Sequence, residues 1–279
     1  MAFKTPPTLY TAMAGSGEGR TKQTLLATMG LTFLAGAYIA LGGLLAIRVS
    51  ATLPSSIWGS FAKLVFAGVF PLGLLLVLVC GADLFTGNSL TLAAASFEKK
   101  ISFLDVLKSG AYSWIGNFIG AMFVAYFMAV ASGLIFAQLG ESMPWANMAV
   151  KIANGKTALS FGEAFWRAVG CNWLVCLAVY AASAAEDITG KVVAMWFPVM
   201  AFVAIGMEHC VANMFFVPLG IWAGSDPRYL DLVASGQATG LTANWADFFA
   251  NNLLPVTLGN IVGGAILVAG IYALVYRKK

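Results

Sequence analysis

Gly81-Ala82-Asp83-Leu84-Phe85-Thr86-Gly87-Asn88 and Gly206-Met207-Glu208-His209-Cys210-Val211-Ala212-Asn213 follow one pattern: a glycine, any residue, an acid, and an asparagine five positions after the acid. Each stretch lies inside an apolar segment close to thirty residues long. About 20 residues suffice to cross a hydrocarbon core as a helix. A straight span needs neither the extra length nor a carboxylate at its middle, which costs about 2.5–3.5 kcal/mol on insertion scales. Both segments are therefore expected to be helices interrupted at the acid.

A second pair of strings supports a repeat. Gly116-Asn117-Phe118-Ile119-Gly120 and Gly259-Asn260-Ile261-Val262-Gly263 both read G-N-x-x-G. The acids stand 125 residues apart and the asparagines 143, so the second half has 18 extra residues between its motifs, which the polar stretch from Gly224 to Asn252 can absorb. Each half then holds three spans, and an odd number inserts the second half upside down relative to the first. Two interrupted helices meeting near the midplane would point their N-termini, the positive ends of their dipoles, at a common cavity. Such a cavity favours an anion.

Working outward, 60% of the 279 residues are hydrophobic and 10% charged, and the mean hydropathy is +0.84. This is the composition of an all-α membrane protein, since the apolar runs are continuous rather than alternating. Six spans are expected, near Leu25 to Ile47, Leu64 to Leu92, Trp114 to Phe136, Ala168 to Ala185, Val192 to Ile221 and Leu253 to Tyr276. With the N-terminus inside, ten basic residues (Lys4, Arg20, Lys22, Lys99, Lys100, Lys108, Lys191, Arg277, Lys278, Lys279) face the cytoplasm. Six (Arg48, Lys63, Lys151, Lys156, Arg167, Arg228) face outward, which places both termini in the cytoplasm. The organisation expected is a cytoplasmic N-terminal segment (1–23) without the apolar core of a signal peptide, a six-span domain (24–276) and a cytoplasmic tail (277–279). The net charge of +4 reflects topology, and no soluble basic face is left for nucleic acid. Cys80, Cys171, Cys176 and Cys210 lie in or beside apolar segments without a C-x-x-C pair, so they read as small buried hydrophobes, with neither metal nor disulfide.

His209 is the only histidine, four residues before Asn213 and seven after Phe202, so a continuous helix would put all three on one face. Burial disfavours an imidazolium, so a neutral ring donating one hydrogen bond to an anion is expected. Glu208 can hold the other ring nitrogen or bond backbone freed at the break, and Asp83 should do the same job in the first half. Asn88 and Asn213 are expected to satisfy backbone near the breaks, and Asn117 and Asn260 to bond between helices. Lys151, in a modestly apolar outer connection, is either a solvated loop lysine or an attractor of anions in a vestibule. Asn172 can hold the ligand, hold that lysine, or simply pack.

The strings Gly81 to Thr86 (G-A-D-L-F-T), Cys171 to Leu174 (C-N-W-L), Gly206 to Phe215 (G-M-E-H-C-V-A-N-M-F) and Pro255 to Gly263 (P-V-T-L-G-N-I-V-G) together resemble the formate/nitrite transporter family, and the likeness runs from span one to span six. That resemblance implies an aquaporin-like protomer with its own pore, assembled as a homopentamer in a bacterial-type inner membrane. It also implies transport of a small monovalent anion, formate above nitrite, hydrosulfide or lactate, with protons taking part and no cofactor. Thr86 would lie on a mobile loop breaking span two and face His209 in a central chamber, while Lys151, Asn172 and Glu208 support anion attraction. Apolar constrictions would come from Leu74 and Leu84 toward the cytoplasm and from Phe70 and Phe202 toward the outside, with Phe85 grouped among them. A water or glycerol channel suits the same repeat, but paired N-P-A tripeptides are missing, as Asn88 and Asn213 sit in Gly87-Asn88-Ser89 and Ala212-Asn213-Met214. A haem-bearing membrane enzyme is disfavoured because one histidine cannot supply a bis-histidine site.

Overall fold

The computed structural model describes residues 3–277. Lys278 and Lys279, and with them most of the expected tail, lie outside the described residues. In chain order the principal helices are α1 (Pro6–Thr21), α2 (Leu25–Ser50), α3 (Ser60–Val79), α4 (Phe85–Phe97) and α5 (Phe103–Ala131). They continue as α6 (Pro144–Thr157), α7 (Phe161–Ala184), α8 (Ile188–Ile205), α9 (Cys210–Gly224) and α10 (Trp245–Tyr276). Six of them, α2, α3, α5, α7, α8 and α10, are long and apolar enough to cross a membrane.

Local capping sets where spans begin. Ser102 and Asp105 form a reciprocal capping box, as do Ser160 and Glu163, so the third and fourth spans start at Phe103 and Phe161 rather than at Trp114 and Ala168. The polar residues that read as loop, Asp105 among them, are the cap and first turns of a helix. Likewise Lys151 sits on α6, not in an irregular connection.

Close helix contacts come from the G-N-x-x-G strings. Gly116 and Gly120 lie against Thr32 and Phe33 of α2, while Gly259 and Gly263 lie against Phe165 and Val169 of α7; a methyl group at any of the four would overlap its neighbour. Small residues let helices approach until backbones touch.

The second span stops at Val79 and helix resumes at Phe85; the fifth stops at Ile205 and resumes at Cys210. Gly81 (φ 77°) and Gly206 (φ 87°) adopt the left-handed conformation two residues before each acid, a turn that a side chain resists. The two short helices that follow, α4 and α9, are the most deeply buried: all of α9 but Trp222 is buried. The long spans carry large exposed apolar side chains such as Leu26, Leu104 and Leu274, a surface suited to lipid rather than water.

One end of the bundle gathers the start of the chain and the α7–α8 connection: Lys4 N–H donates to Ala184 O (3.0 Å) and Tyr180 Oη to Pro6 O (2.7 Å). Glu18 bonds Lys22 (2.6 Å) and Lys100 (3.2 Å) there, and these hydrogen bonds hold its carboxyl below the usual carboxylate range.

Candidate functional site

Two polar clusters, one at each interruption, match group for group. At the first, Asp83 pairs with Arg20 of α1 (3.1 Å) and accepts from Asn88 Nδ2. Asn117 Oδ1 takes the Phe85 N–H (2.9 Å), and its Nδ2 donates to Thr32 O (2.7 Å) and Asp83 O (3.0 Å). At the second, both Glu208 oxygens accept from Lys156 Nζ (2.9 Å each), and Asn213 Nδ2 donates to Oε2 (2.7 Å). Asn260 Oδ1 takes the Cys210 N–H (2.8 Å), and its Nδ2 donates to Ala168 O (2.8 Å) and Glu208 O (3.0 Å). Even the acids' own N–H groups correspond, reaching Leu31 O in α2 (3.1 Å) and Arg167 O in α7 (3.4 Å).

Asn117 and Asn260 bond between helices as expected, to Thr32 O of α2 and Ala168 O of α7, and the same two amides also satisfy backbone at the breaks. Asn88 and Asn213, expected on backbone, hold carboxylates instead, since one helical turn places each amide over its acid. Glu208 does not orient the imidazole: both its oxygens are taken by Lys156, Asn213 and Asn252.

His209 is held by backbone. As N-cap of α9 it accepts the Ala212 N–H at Nδ1 (3.1 Å). In the neutral ring the proton therefore sits on Nε2, which donates to Thr86 Oγ1 at 2.8 Å. The Thr86 hydroxyl keeps its own hydrogen for another acceptor. Thr86 lies in the first turn of α4 and is fully buried, rather than on a loop, because the Asn117 clasp on Phe85 fixes the helix start. The Thr86–His209 bond also brings the N-terminal ends of α4 and α9 together.

Asn172 is buried beside Thr86 and, among the described residues, makes no hydrogen bond to a lysine. Its Nδ2, with two hydrogens, lies within hydrogen-bond reach of three acceptors, Asn260 O (2.6 Å), Ser89 Oγ (2.8 Å) and, most distant, Thr86 O (3.2 Å), and its Oδ1 has no partner among the described residues. Cys176 Sγ also donates to Thr86 O, at 3.4 Å.

A cavity of about 1040 Å³ opens from one end of the bundle down to His209. Four cations line it, Lys63, Lys151, Lys156 and Arg167, of which only Lys156 has a carboxylate within 4 Å among the described residues. Toward its base stand Phe70 and Phe202, edge to face with centroids 6.0 Å apart, and Phe202 stacks on His209 at 5.9 Å. Leu74, one turn after Phe70, and Leu84, just before α4, are buried. Phe85 belongs elsewhere: it lines a second, lateral cavity between α4, α5 and α10, since consecutive residues of a helix diverge and Thr86 takes the inward face.

The charged partners of both acids, Arg20 and Lys156, are not among the residues that the motifs mark, whereas Lys151 is. One signal was available: Arg20 and Lys156 each stand five residues before the first residue of a span, α2 and α7.

The Formate/nitrite transporter family matches residues 7–274. A probable formate transporter of Methanothermobacter thermautotrophicus is 45% identical over 100% of this chain and 99% of its own length. A formate channel of Bacillus thuringiensis is 39% identical over 100% and 98%. Among solved structures, a pentameric formate channel with formate bound is similar with a TM-score of 0.80 and 32% identity, covering 91% of this chain and 98% of that one. With two matched polar clusters around a buried Thr86–His209 pair and a likeness spanning the whole chain, this integral membrane protein belongs to the formate/nitrite transporter family.

Proposed function

We propose that this chain conducts formate through a pore within each protomer, past Thr86 and His209, and that it works as a homopentamer in an inner membrane with both termini cytoplasmic. The observation that carries the reading is the Thr86–His209 bond of 2.8 Å, buried below a cavity rich in cations and between the N-termini of two short helices. The chain is read as two inverted three-span repeats with broken second and fifth spans. The pairing of Arg20, Asp83, Asn88 and Asn117 with Lys156, Glu208, Asn213 and Asn260 supports this. Formate is preferred because a probable formate transporter and a formate channel match over 99% and 98% of their length, and a structural relative carries formate.

Lys63, Lys151 and Arg167 concentrate anions at the mouth, while Lys156 neutralises Glu208 so that the buried carboxylate does not repel them. The anion then passes the Phe70–Phe202 constriction and meets the Thr86 hydroxyl and the His209 N–H, with Leu74 and Leu84 closing the other side. A bare anion in such apolar surroundings faces an idealised penalty of about 20 kcal/mol, which one hydrogen bond does not offset. A proton relayed from the bulk through vestibule water lets it cross as the neutral acid, while the neutral His209 ring keeps its Nε2 hydrogen as the donor that holds the anion. The two helix N-termini stabilise the charged form where it waits.

Uptake into proteoliposomes is the test, comparing formate, nitrite, hydrosulfide, lactate and glycerol at equal protein. Formate should enter fastest and glycerol no faster than in empty vesicles; glycerol entry at the formate rate would sink the reading.

A further inference from the structure

The lateral cavity is an apolar slot of about 740 Å³ whose lining follows helical stripes. Phe85, Leu92 and Phe97 of α4 form one wall, and Phe103, Gly110 and Trp114 of α5 the other, with α10 behind. We infer that this slot holds one acyl chain of an anionic phospholipid from the leaflet on the side of the chain termini. The inference rests on the membrane reading, not on the identity of the transported anion.

Three observations point to that occupant. The lining spans Phe85 to Phe97 and Phe103 to Ile115, twelve helical steps or about 18 Å, which matches the half-thickness of a hydrocarbon core, about 15 Å. A chain entering at the α4–α5 turn would thus end against Phe85, at the first turn of the helix that carries Thr86. Second, the α4–α5 turn carries Lys99, and Lys108 follows in the first turns of α5; both are exposed and have no carboxylate within 4 Å among the described residues. Asp105, in the first turn of α5, is bonded to Ser102 in the capping box. Lys99 holds φ 56°, a left-handed conformation that glycine or asparagine would adopt more easily, and so projects a charge from the turn itself. Third, the slot is unfilled by the chain: a methyl group on Gly110 would meet nothing within 4 Å.

The test is native mass spectrometry of the purified oligomer after incubation with POPG or POPC. Wild type should retain one POPG per protomer in preference to POPC. Gly110→Phe, which fills the slot from an uncrowded position, should lower retention about tenfold at unchanged melting temperature and oligomeric mass, whereas Leu104→Trp, outside the slot, should retain it. Lys99→Ala with Lys108→Ala should remove the preference for POPG, about fivefold per lysine. Retention in Gly110→Phe equal to wild type, or an undiminished POPG preference in the double lysine variant, overturns the inference. So does efficient cross-linking of Ala111→Cys to a neighbouring copy, which would mean that protein occupies the slot.

Discussion

Lys156→Met is expected to destabilise the protein by roughly 3–5 kcal/mol and to abolish uptake, because it leaves the Glu208 carboxylate buried with no cation. Glu208 is 4% exposed and Lys156 supplies both of its short charged contacts. Asn213 and Asn252 donate to one oxygen only, so they do not replace the ammonium. Adding Glu208→Gln should restore most of the stability, since the neutral amide still has an oxygen for Asn213 and Asn252, but should not restore uptake. The non-additivity of the two changes measures the pair. Lys151→Ala, by contrast, should leave melting unchanged and lower uptake mainly at low substrate, as that exposed side chain acts only through the field of the vestibule. Thermal unfolding of the purified protein, read beside uptake, separates the two lysines. A Lys156→Met variant that melts with wild type would contradict the assigned geometry.

Asn260→Leu should be comparably damaging for a different reason. The side chain is wholly buried and its amide serves three backbone groups: the Cys210 N–H, Ala168 O and Glu208 O. Leucine of similar size fills the volume but orphans the Cys210 N–H, which begins its helix, and removes from Glu208 O the one hydrogen bond it accepts among the described residues. A buried unsatisfied backbone group costs about 1–3 kcal/mol, and two weakened carbonyls add to it, so a loss of roughly 2–5 kcal/mol is expected. Asn117→Leu should produce a loss of the same sign and similar size, since it clasps Phe85, Thr32 and Asp83 in the same way. Melting temperature and the yield of assembled oligomer are the readouts. A large effect at one asparagine and none at the other would break the correspondence between the halves.

How much could be read from the chain itself is clearest at these residues. Apolar length and continuity exposed the six spans, because a helix in hydrocarbon has no other way to satisfy its backbone. The acids marked the interruptions, since a carboxylate in an apolar segment demands partners. Who those partners are was not legible: Asn88 lies close to its acid in sequence, whereas Arg20 and Lys156 lie 63 and 52 residues from theirs, on helices of unknown placement. That Asn88 and Asn213 hold carboxylates, and that Asn117 and Asn260 serve the breaks as well as a neighbouring helix, is hidden for the same reason, as hydrogen-bond partners depend on distances across the bundle that periodicity does not encode. The expected start of span three at Trp114 lies too late because a capping box and a few polar first-turn residues look like loop until the cap is recognised. Thr86 was placed correctly beside His209 by resemblance to the family, yet its setting in a helix rather than a loop follows only from the Asn117 clasp.

The central claim is that the anion passes between Thr86 and His209. It is tested most directly by the rate of formate uptake in proteoliposomes carrying equal amounts of wild type, His209→Asn and His209→Phe. Asparagine keeps a donor of similar reach, so His209→Asn should still conduct measurably. His209→Phe removes the donor and adds apolar bulk beside Phe202; losing a hydrogen bond to a charged group is worth about 1.5–3 kcal/mol, so uptake should fall by about tenfold or more while the oligomer remains intact. Formate uptake by His209→Phe at the wild-type rate would contradict the account.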